Sequence, residues 1–321
     1  MERTNTRMHN AHFKEVFRRY SGNPILTAAD WPYPANTIFN PGATRLQSGE
    51  TLLLARVEDR RGHSHLTAAR SRDGVTNWQV DQQPTLAPDP ANHPEDEWGV
   101  EDPRITWVPE LEQYLIAFTS YSTSGPLVSL AATKDFKIFE RKGVVCPPED
   151  KDAALFPRRI GDRWALLHRP VSGTSANIWI SYSTDLKHWG DSAVALKARS
   201  GAWWDANKIG LSPPPLETRE GWLFMYHGVR NTPGGCLYRL GLALMDLEDP
   251  AKLIRRGSEW IFAPVEPYER SGDVNDVVFP CGYTHDAETG DLKLYYGAAD
   301  TSIALATGNS NELLEWLKEH C

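Results

Sequence analysis

Arg56, Arg158, Arg169, Lys208 and His227 each open or close a short apolar run, in a chain whose formal net charge is −8. Cations drawn from separate segments of an acidic protein into one place would bind an anion, because guanidinium and ammonium groups recognise phosphate-like and carboxylate-like oxygens. Acidic and amide side chains hold comparable places. Asn40, Glu101, Asp102, Asn275 and Asp276 stand at the starts of apolar runs, and Glu58, Asp59 and Asp300 at the ends of others. A carboxyl group facing an anion site could serve as a general acid or base.

Each of these residues also has a purely structural reading. Asp102 before Pro103 suits a turn or cap. Arg56 with Glu58 and Asp59 could be a solvated ion-pair cluster. His227, after a run of Trp, Leu, Phe, Met and Tyr, could be a satisfied core histidine, Lys208 and Arg158 rim charges, and Asp300 a turn residue. The joint pattern across several segments raises the functional reading above these alternatives.

Other chemistries lack their signatures. Neither HExxH nor an Asp-rich calcium loop is present at ligand spacing, and no metal is expected. Gly-rich phosphate loops, a GxSxG elbow and a dinucleotide fingerprint are also missing. The acidic balance argues against a broad nucleic-acid surface. No apolar run approaches the roughly 20 residues that span a bilayer. Met1 to Asn10 lacks an apolar signal-peptide core, so the expected location is the cytoplasm. Cys146, Cys236, Cys281 and Cys321 are widely spaced and read as reduced thiols.

The elements that must position these residues come from an internal repeat. Five copies begin with a residue before proline, at Asn40-Pro41, Asp102-Pro103, Phe156-Pro157, Ser212-Pro213 and Phe279-Pro280, with the prolines 62, 54, 56 and 67 residues apart. Each copy continues into a strand-like run: Thr51 to Ala55, Tyr114 to Phe118, Trp164 to Leu167, Trp222 to Tyr226 and Leu292 to Tyr296. A third run follows and ends in a polar turn, at Leu66 to Asp73, Leu127 to Asp135, Ile178 to Asp185, Leu240 to Asp246 and Ile303 to Thr307. In three copies an aromatic comes next, Trp78, Phe139 or Trp189. Five units of short strands with little helix predict an all-β, five-bladed β-propeller rather than a sandwich. The 321 residues are then one catalytic domain. Terminal helices are expected over His12 to Arg19, within an N-terminal extension 1–22, and over Asn311 to Glu319, within 308–321. Inner-strand ends of a propeller converge on one funnel, which places the polar residues above at one site.

The segments Phe39-Asn40-Pro41-Gly42-Ala43, Leu54-Ala55-Arg56-Val57-Glu58, Val100-Glu101-Asp102-Pro103-Arg104, Phe156-Pro157-Arg158, Leu167-His168-Arg169-Pro170, Asn207-Lys208-Ile209-Gly210 and Tyr226-His227-Gly228-Val229 resemble glycoside hydrolase family 130, the β-mannoside phosphorylases and related β-mannosidases. The resemblance runs from about Asn23 to Thr307. It implies that Asp102 is the catalytic acid and that Arg56, Arg158, Arg169, Lys208, His227 and Tyr238 surround phosphate. It further implies that Asn40, Glu58, Glu101, Asp276 and Asp300 line the mannosyl site. Because the basic set is retained, the resemblance favours phosphorolysis, an inverting and reversible reaction that gives α-mannose 1-phosphate and a shortened sugar.

Phosphate arrives as an anion, so the protein must bind and aim it rather than supply a second carboxylate to activate water. Asp102 would protonate the leaving oxygen with a pKa raised by burial or by Glu101. Inorganic phosphate is a co-substrate, and no cofactor is expected. Tyr121, Trp203, Trp204 and Tyr238 are candidate platforms for the leaving sugar. β-1,4-Mannooligosaccharides come first as substrates, with β-1,2-mannosides, mannosyl-glucose and mannosyl-N-acetylglucosamine as alternatives. A hydrolase using Glu58, Asp205 or Asp276 as base and a non-catalytic sugar-binding propeller are the rivals. The outer faces and terminal helices offer surface for a homo-oligomer, without an apolar stripe that demands one.

Overall fold

Short runs rich in β-branched and aromatic residues, separated by Asp- and Gly-marked turns, fold here into antiparallel hairpins. The computed structural model describes residues 15–172, 175–232 and 235–321. Four successive meanders of four strands each come first. Meander 1 comprises Thr37–Arg45, Thr51–Glu58, Ser64–Ser71 and Gln79–Val80. Meander 2 comprises Gly99–Val108, Gln113–Ser122, Gly125–Thr133 and Glu140–Cys146. Meander 3 comprises Asp150–Leu155, Trp164–Ser172, Ile178–Ser183 and Gly190–Leu196. Meander 4 comprises Lys208–Leu211, Gly221–Thr232, Gly235–Met245 and Leu253–Arg256.

Meander 5 takes three strands from the C-terminal part, Val278–His285, Asp291–Ala298 and Ser302–Asn309. Its fourth strand is Arg18–Arg19, paired with Thr307 and Ala306. The N-terminal helix expected over His12 to Arg19 is therefore corrected. Residues 12–14 lie outside the described residues, and Glu15 to Arg19 form no helix. The physical reason is the open edge of the last sheet, whose unpaired backbone groups accept a strand. Val16 and Phe17 are buried there, and Arg19 anchors the segment by donating to Glu269 at 2.7 Å and stacking 4.2 Å over Phe262. At the other end the helix Ser310–Glu319 forms as expected, capped by the Asn309 side chain, with Leu313, Leu314, Trp316 and Leu317 buried.

The turn after each third strand is encoded locally. Ser71, Thr133 and Ser183 donate their hydroxyls to Asp73, Asp135 and Asp185, and each aspartate accepts two backbone N–H groups from the turn that follows. These bonds hold all three carboxyls below the ordinary range.

Apolar side chains of neighbouring meanders interleave in five layers, one each between 1 and 2, 2 and 3, 3 and 4, and 4 and 5. The fifth packs Leu53, Ala55 and Val57 of meander 1 against Tyr295, Ile303 and Leu305 of meander 5. Each fully buried Leu or Phe contributes about 1.5–3 kcal/mol, so these layers, more than the single bridges Ser64–Gly99 and Ala176–Lys208, join the meanders.

The first strands carry the device that aims the site. Register shifts interrupt pairing between Phe39 and Gly42, Glu101 and Arg104, and Lys151 and Ala154. In these three bulges Asn40, Asp102 and Asp152 adopt left-handed backbone with φ of 46°, 48° and 55°. Bulges re-aim side chains, and Asn and Asp tolerate this region better than other non-glycine residues.

This geometry corrects the phase of the repeat read from proline. Pro41, Pro103 and Pro280 lie within first strands, whereas Pro157 follows Asp150–Leu155 and Pro213 follows Lys208–Leu211. In meander 3 the counterpart of Asn40 and Asp102 is Asp152, four residues before Phe156, the position that the proline suggested.

Candidate active site

The bulged first strands and the ends of the second strands enclose a cavity of about 380 Å³. Asn40, Arg56, Asp102, Arg169, Lys208, His227, Tyr238 and Asp300, all named from sequence, line it together with Lys151, Asp152 and Phe279.

Asp102 is buried, and its Oδ1 accepts from Asn40 Nδ2 at 2.9 Å and from Arg56 Nη1 at 3.3 Å. Burial pushes its carboxyl up, but Arg56, Arg104 and Lys151, with the Asn40 amide, outweigh burial and hold it below the ordinary range. The raised value expected for this residue is thus corrected: an arginine-rich surround stabilises the carboxylate. The elevated groups are its neighbours. Burial raises Glu101, and burial followed by the charge of Asp102 pushes Asp300 up to about 7.

Arg56 is committed within the protein. Its Nη2 donates to Glu58 and Glu101, both at 3.0 Å, and its Nε to Ser64 at 3.0 Å, while the guanidinium stacks 4.6 Å over Phe39. Glu58 and Glu101 are absent from the cavity lining and act through Arg56, which they fix against Asp102. The Asn40 Oδ1 is buried without a hydrogen-bond partner among the described residues, which leaves an acceptor for a ligand hydroxyl.

On the opposite wall Asp152 is the organising group. Its Oδ2 accepts from Arg169 Nε at 2.6 Å and lies 3.4 Å from His227 Nε2, and its Oδ1 accepts from Arg104 Nη2 at 3.3 Å. Burial opposes its charge, but Arg169, His227 and Arg104 hold the carboxyl well below the ordinary range. Only Nε of the Arg169 guanidinium is engaged among the described residues, so its terminal nitrogens remain available to the cavity. Lys151 and Lys208 make no ion pair among the described residues and supply two further cations. Gly210 permits the close packing, since a Cβ there would collide with Asp152 and His227.

Sequence reasoning missed Asp152 and Lys151. The signal lay in Asp150-Lys151-Asp152, a charged triplet opening an apolar run, but the proline phase drew attention to Phe156-Pro157-Arg158 instead. Arg158 is not brought to the cavity; its Nε donates to Glu217 at 2.9 Å on an exposed surface. Asp276, with φ of 58°, is not among the lining residues either. Asp205 is fully buried and accepts from Arg256, Arg199 and Tyr226 at 2.7, 3.1 and 2.9 Å. Of the aromatic platforms, Tyr238 lines the cavity; Trp203 and Trp204 border a different one, and Tyr121 packs edge-on against Trp98.

Beside this wall the possible ligand atoms of Cys146, Asp150 and His168 lie within 4.8 Å of one another. His168 already bonds Asp150 at 2.6 Å and Ser181 at 2.8 Å through its two nitrogens, and burial pushes the Cys146 thiol up. The cluster therefore reads as a buried support that also accepts the Arg169 backbone N–H on Asp150.

Known proteins similar to this chain share a family. The family model Glyco_hydro_130, described as β-1,4-mannooligosaccharide phosphorylase, matches residues 7–319. The chain is 31% identical over 318 residues to the β-1,4-mannooligosaccharide phosphorylase of Ruminococcus albus, covering 97% of this chain and 93% of that one. It is 35% identical to a 1,2-β-oligomannan phosphorylase of Thermoanaerobacter sp., covering 90% and 96%. The structure of the β-1,2-mannobiose phosphorylase of Listeria innocua in complex with β-1,2-mannobiose superposes with a TM-score of 0.86 at 30% identity, covering 95% of this chain and 99% of that chain. With the match spanning almost every residue that builds the cavity, the chain belongs to glycoside hydrolase family 130.

Proposed function

We propose that this protein is an inverting β-mannoside phosphorylase whose five meanders are the blades of a propeller around the cavity described above. The five apolar layers, including the one between meanders 5 and 1, support the radial arrangement. The observation that carries the reaction is the pairing of Asp102 with a cationic wall, while the bases named for a hydrolase are each ion-paired or outside the lining. Glu58 is bound to Arg56, Asp205 to Arg199 and Arg256, and Asp152 to Arg169 and Arg104; Asp276 is outside the lining. A hydrolase would need a free carboxylate to activate water.

In this reading Lys208, Arg169, His227 and Tyr238 hold phosphate, with Lys151 beside them, and Asn40 and Asp300 hold the mannosyl unit. A phosphate oxygen attacks the anomeric carbon as the bond to the leaving oxygen breaks on the opposite face, and Asp102 supplies the proton that the leaving oxygen takes up. Bound phosphate offsets the cations that hold Asp102 ionised, so co-substrate binding raises the proton affinity of the acid. Asp300, which holds a proton near neutral pH, is a neighbouring reservoir. Organic cofactors and metals have no part in these steps. Four unpaired cysteines suit work in the cytoplasm.

β-1,4-Mannooligosaccharides are the first substrate class, on the family model and the Ruminococcus albus relative. β-1,2-Mannosides are the second reading, favoured by the higher identity to the Thermoanaerobacter relative. The test is incubation with β-1,4-mannobiose and, separately, β-1,2-mannobiose, with and without inorganic phosphate. Mannose 1-phosphate formed only with phosphate is the expected product. Free mannose at equal rates in both tubes would make the protein a hydrolase.

A further inference from the structure

A second cavity, of about 490 Å³, opens on the other side of the hairpin that helps to build the catalytic one. Val229 and its cross-strand partner Tyr238 face the catalytic cavity, whereas the next residues, Arg230 and Arg239, face this one, as strand alternation requires. Its walls carry three indoles, of which Trp204 is buried and the other two are accessible. Trp203 is 45% exposed and Trp260 is half-buried. Both rings are braced by cation stacking, Arg199 4.4 Å over Trp203 and Arg239 3.9 Å over Trp260.

The cavity's polar groups are poised for a ligand. Neither the Trp203 nor the Trp260 indole N–H has a hydrogen-bond partner among the described residues, in contrast to Trp204, which donates to Ser258 at 3.2 Å. Arg230, Arg239 and Glu259 line the same space without forming an ion pair among the described residues. Braced aromatic faces with surrounding donors and an acceptor match a pyranose ring, whose C–H face is apolar and whose rim is hydroxylated.

We propose that this cavity is a second saccharide site, which binds a mannosyl unit of a β-mannooligosaccharide apart from the catalytic cavity; the choice of sugar rests on the functional reading above. It would hold long substrates at the enzyme between cleavages and favour them over disaccharides.

The test uses the Asp102→Asn protein, which cannot consume the ligand, titrated calorimetrically with β-1,4-mannotetraose and then with β-1,2-mannotetraose. Two binding events are expected with one of these sugars, and one event when Trp203→Ala and Trp260→Ala are added, with thermal unfolding used to check that the variant is folded. A single event in both proteins overturns the proposal, as does no binding of either sugar. Gel filtration adds a third arm: if the two tryptophan substitutions dissociate an oligomer, the indoles cover a second copy and the saccharide assignment fails. Failure of the wild type to phosphorolyse any β-mannoside would sink the functional reading, while the titration still decides whether this cavity binds sugar.

Discussion

Replacing Asp152 by asparagine should separate phosphate binding from sugar binding. Asp152 is fully enclosed and holds Arg169 at 2.6 Å, Arg104 at 3.3 Å and His227 at 3.4 Å. Asparagine keeps the volume but removes the charge that fixes Arg169. A hydrogen bond to a charged group contributes about 1.5–3 kcal/mol, which sets the cost of leaving the guanidinium unfixed. Since about 1.4 kcal/mol is a factor of ten, the half-saturating phosphate should rise roughly 10- to 150-fold. Half-saturation for the mannoside should stay within about threefold, because Asn40 and Asp300 are untouched. The enzyme should also lose stability, approaching the roughly 3–5 kcal/mol expected when a buried ion pair loses one partner. Initial rates across a phosphate series at saturating mannoside, with thermal melts in parallel, measure both effects. Unchanged phosphate dependence in a folded variant would refute the positioning role. Tighter phosphate would show that repulsion from Asp152 outweighs its hold on Arg169.

Lys208→Ala should raise half-saturating phosphate by about 10-fold or more while sparing that for sugar, and equal losses on both would remove Lys208 from the phosphate site. Arg158→Ala should leave phosphate dependence within about twofold, because its exposed pair with Glu217 is worth at most about 1 kcal/mol; a large rise would return Arg158 to the site. Asp300 predicts a pH effect on stability. Its folded pKa of about 7 lies above the ordinary 3.8, so the folded protein binds more protons between these values and loses stability as pH rises through the window. The slope contributed by this one group is about 1.4 kcal/mol per pH unit. Asp300→Asn should therefore gain stability over wild type at pH 8 but not at pH 4, and a pH-independent difference in denaturant midpoints would contradict the assignment.

The strands, their order and the turns were legible in the residues because those features are local. Ser71-x-Asp73, Thr133-x-Asp135 and Ser183-x-Asp185 encode their turns through bonds two to three residues long. Alternating apolar runs likewise fix which strand face is buried. Most of the cavity wall was legible too, through the motifs around Asn40, Asp102, Arg169, Lys208 and His227.

Tertiary structure decided what depends on bulges, edges and charge. Proline marked the repeat but not its phase, since the feature that meanders 1 to 3 share is a left-handed residue in a bulge, which Asn40, Asp102 and Asp152 satisfy with different neighbours. That is why Asp152 was hidden and Arg158 misplaced. The N-terminal segment holds apolar residues that suit a helix, but the unpaired edge of meander 5 claims it as a strand. The proton affinity of Asp102 could not be read from Glu101 beside it, because Arg56 and Arg104 reach it through the fold and outweigh burial. Local bonding is written in sequence neighbours, whereas the electrostatics of a site are set by groups that only folding brings within a few ångströms.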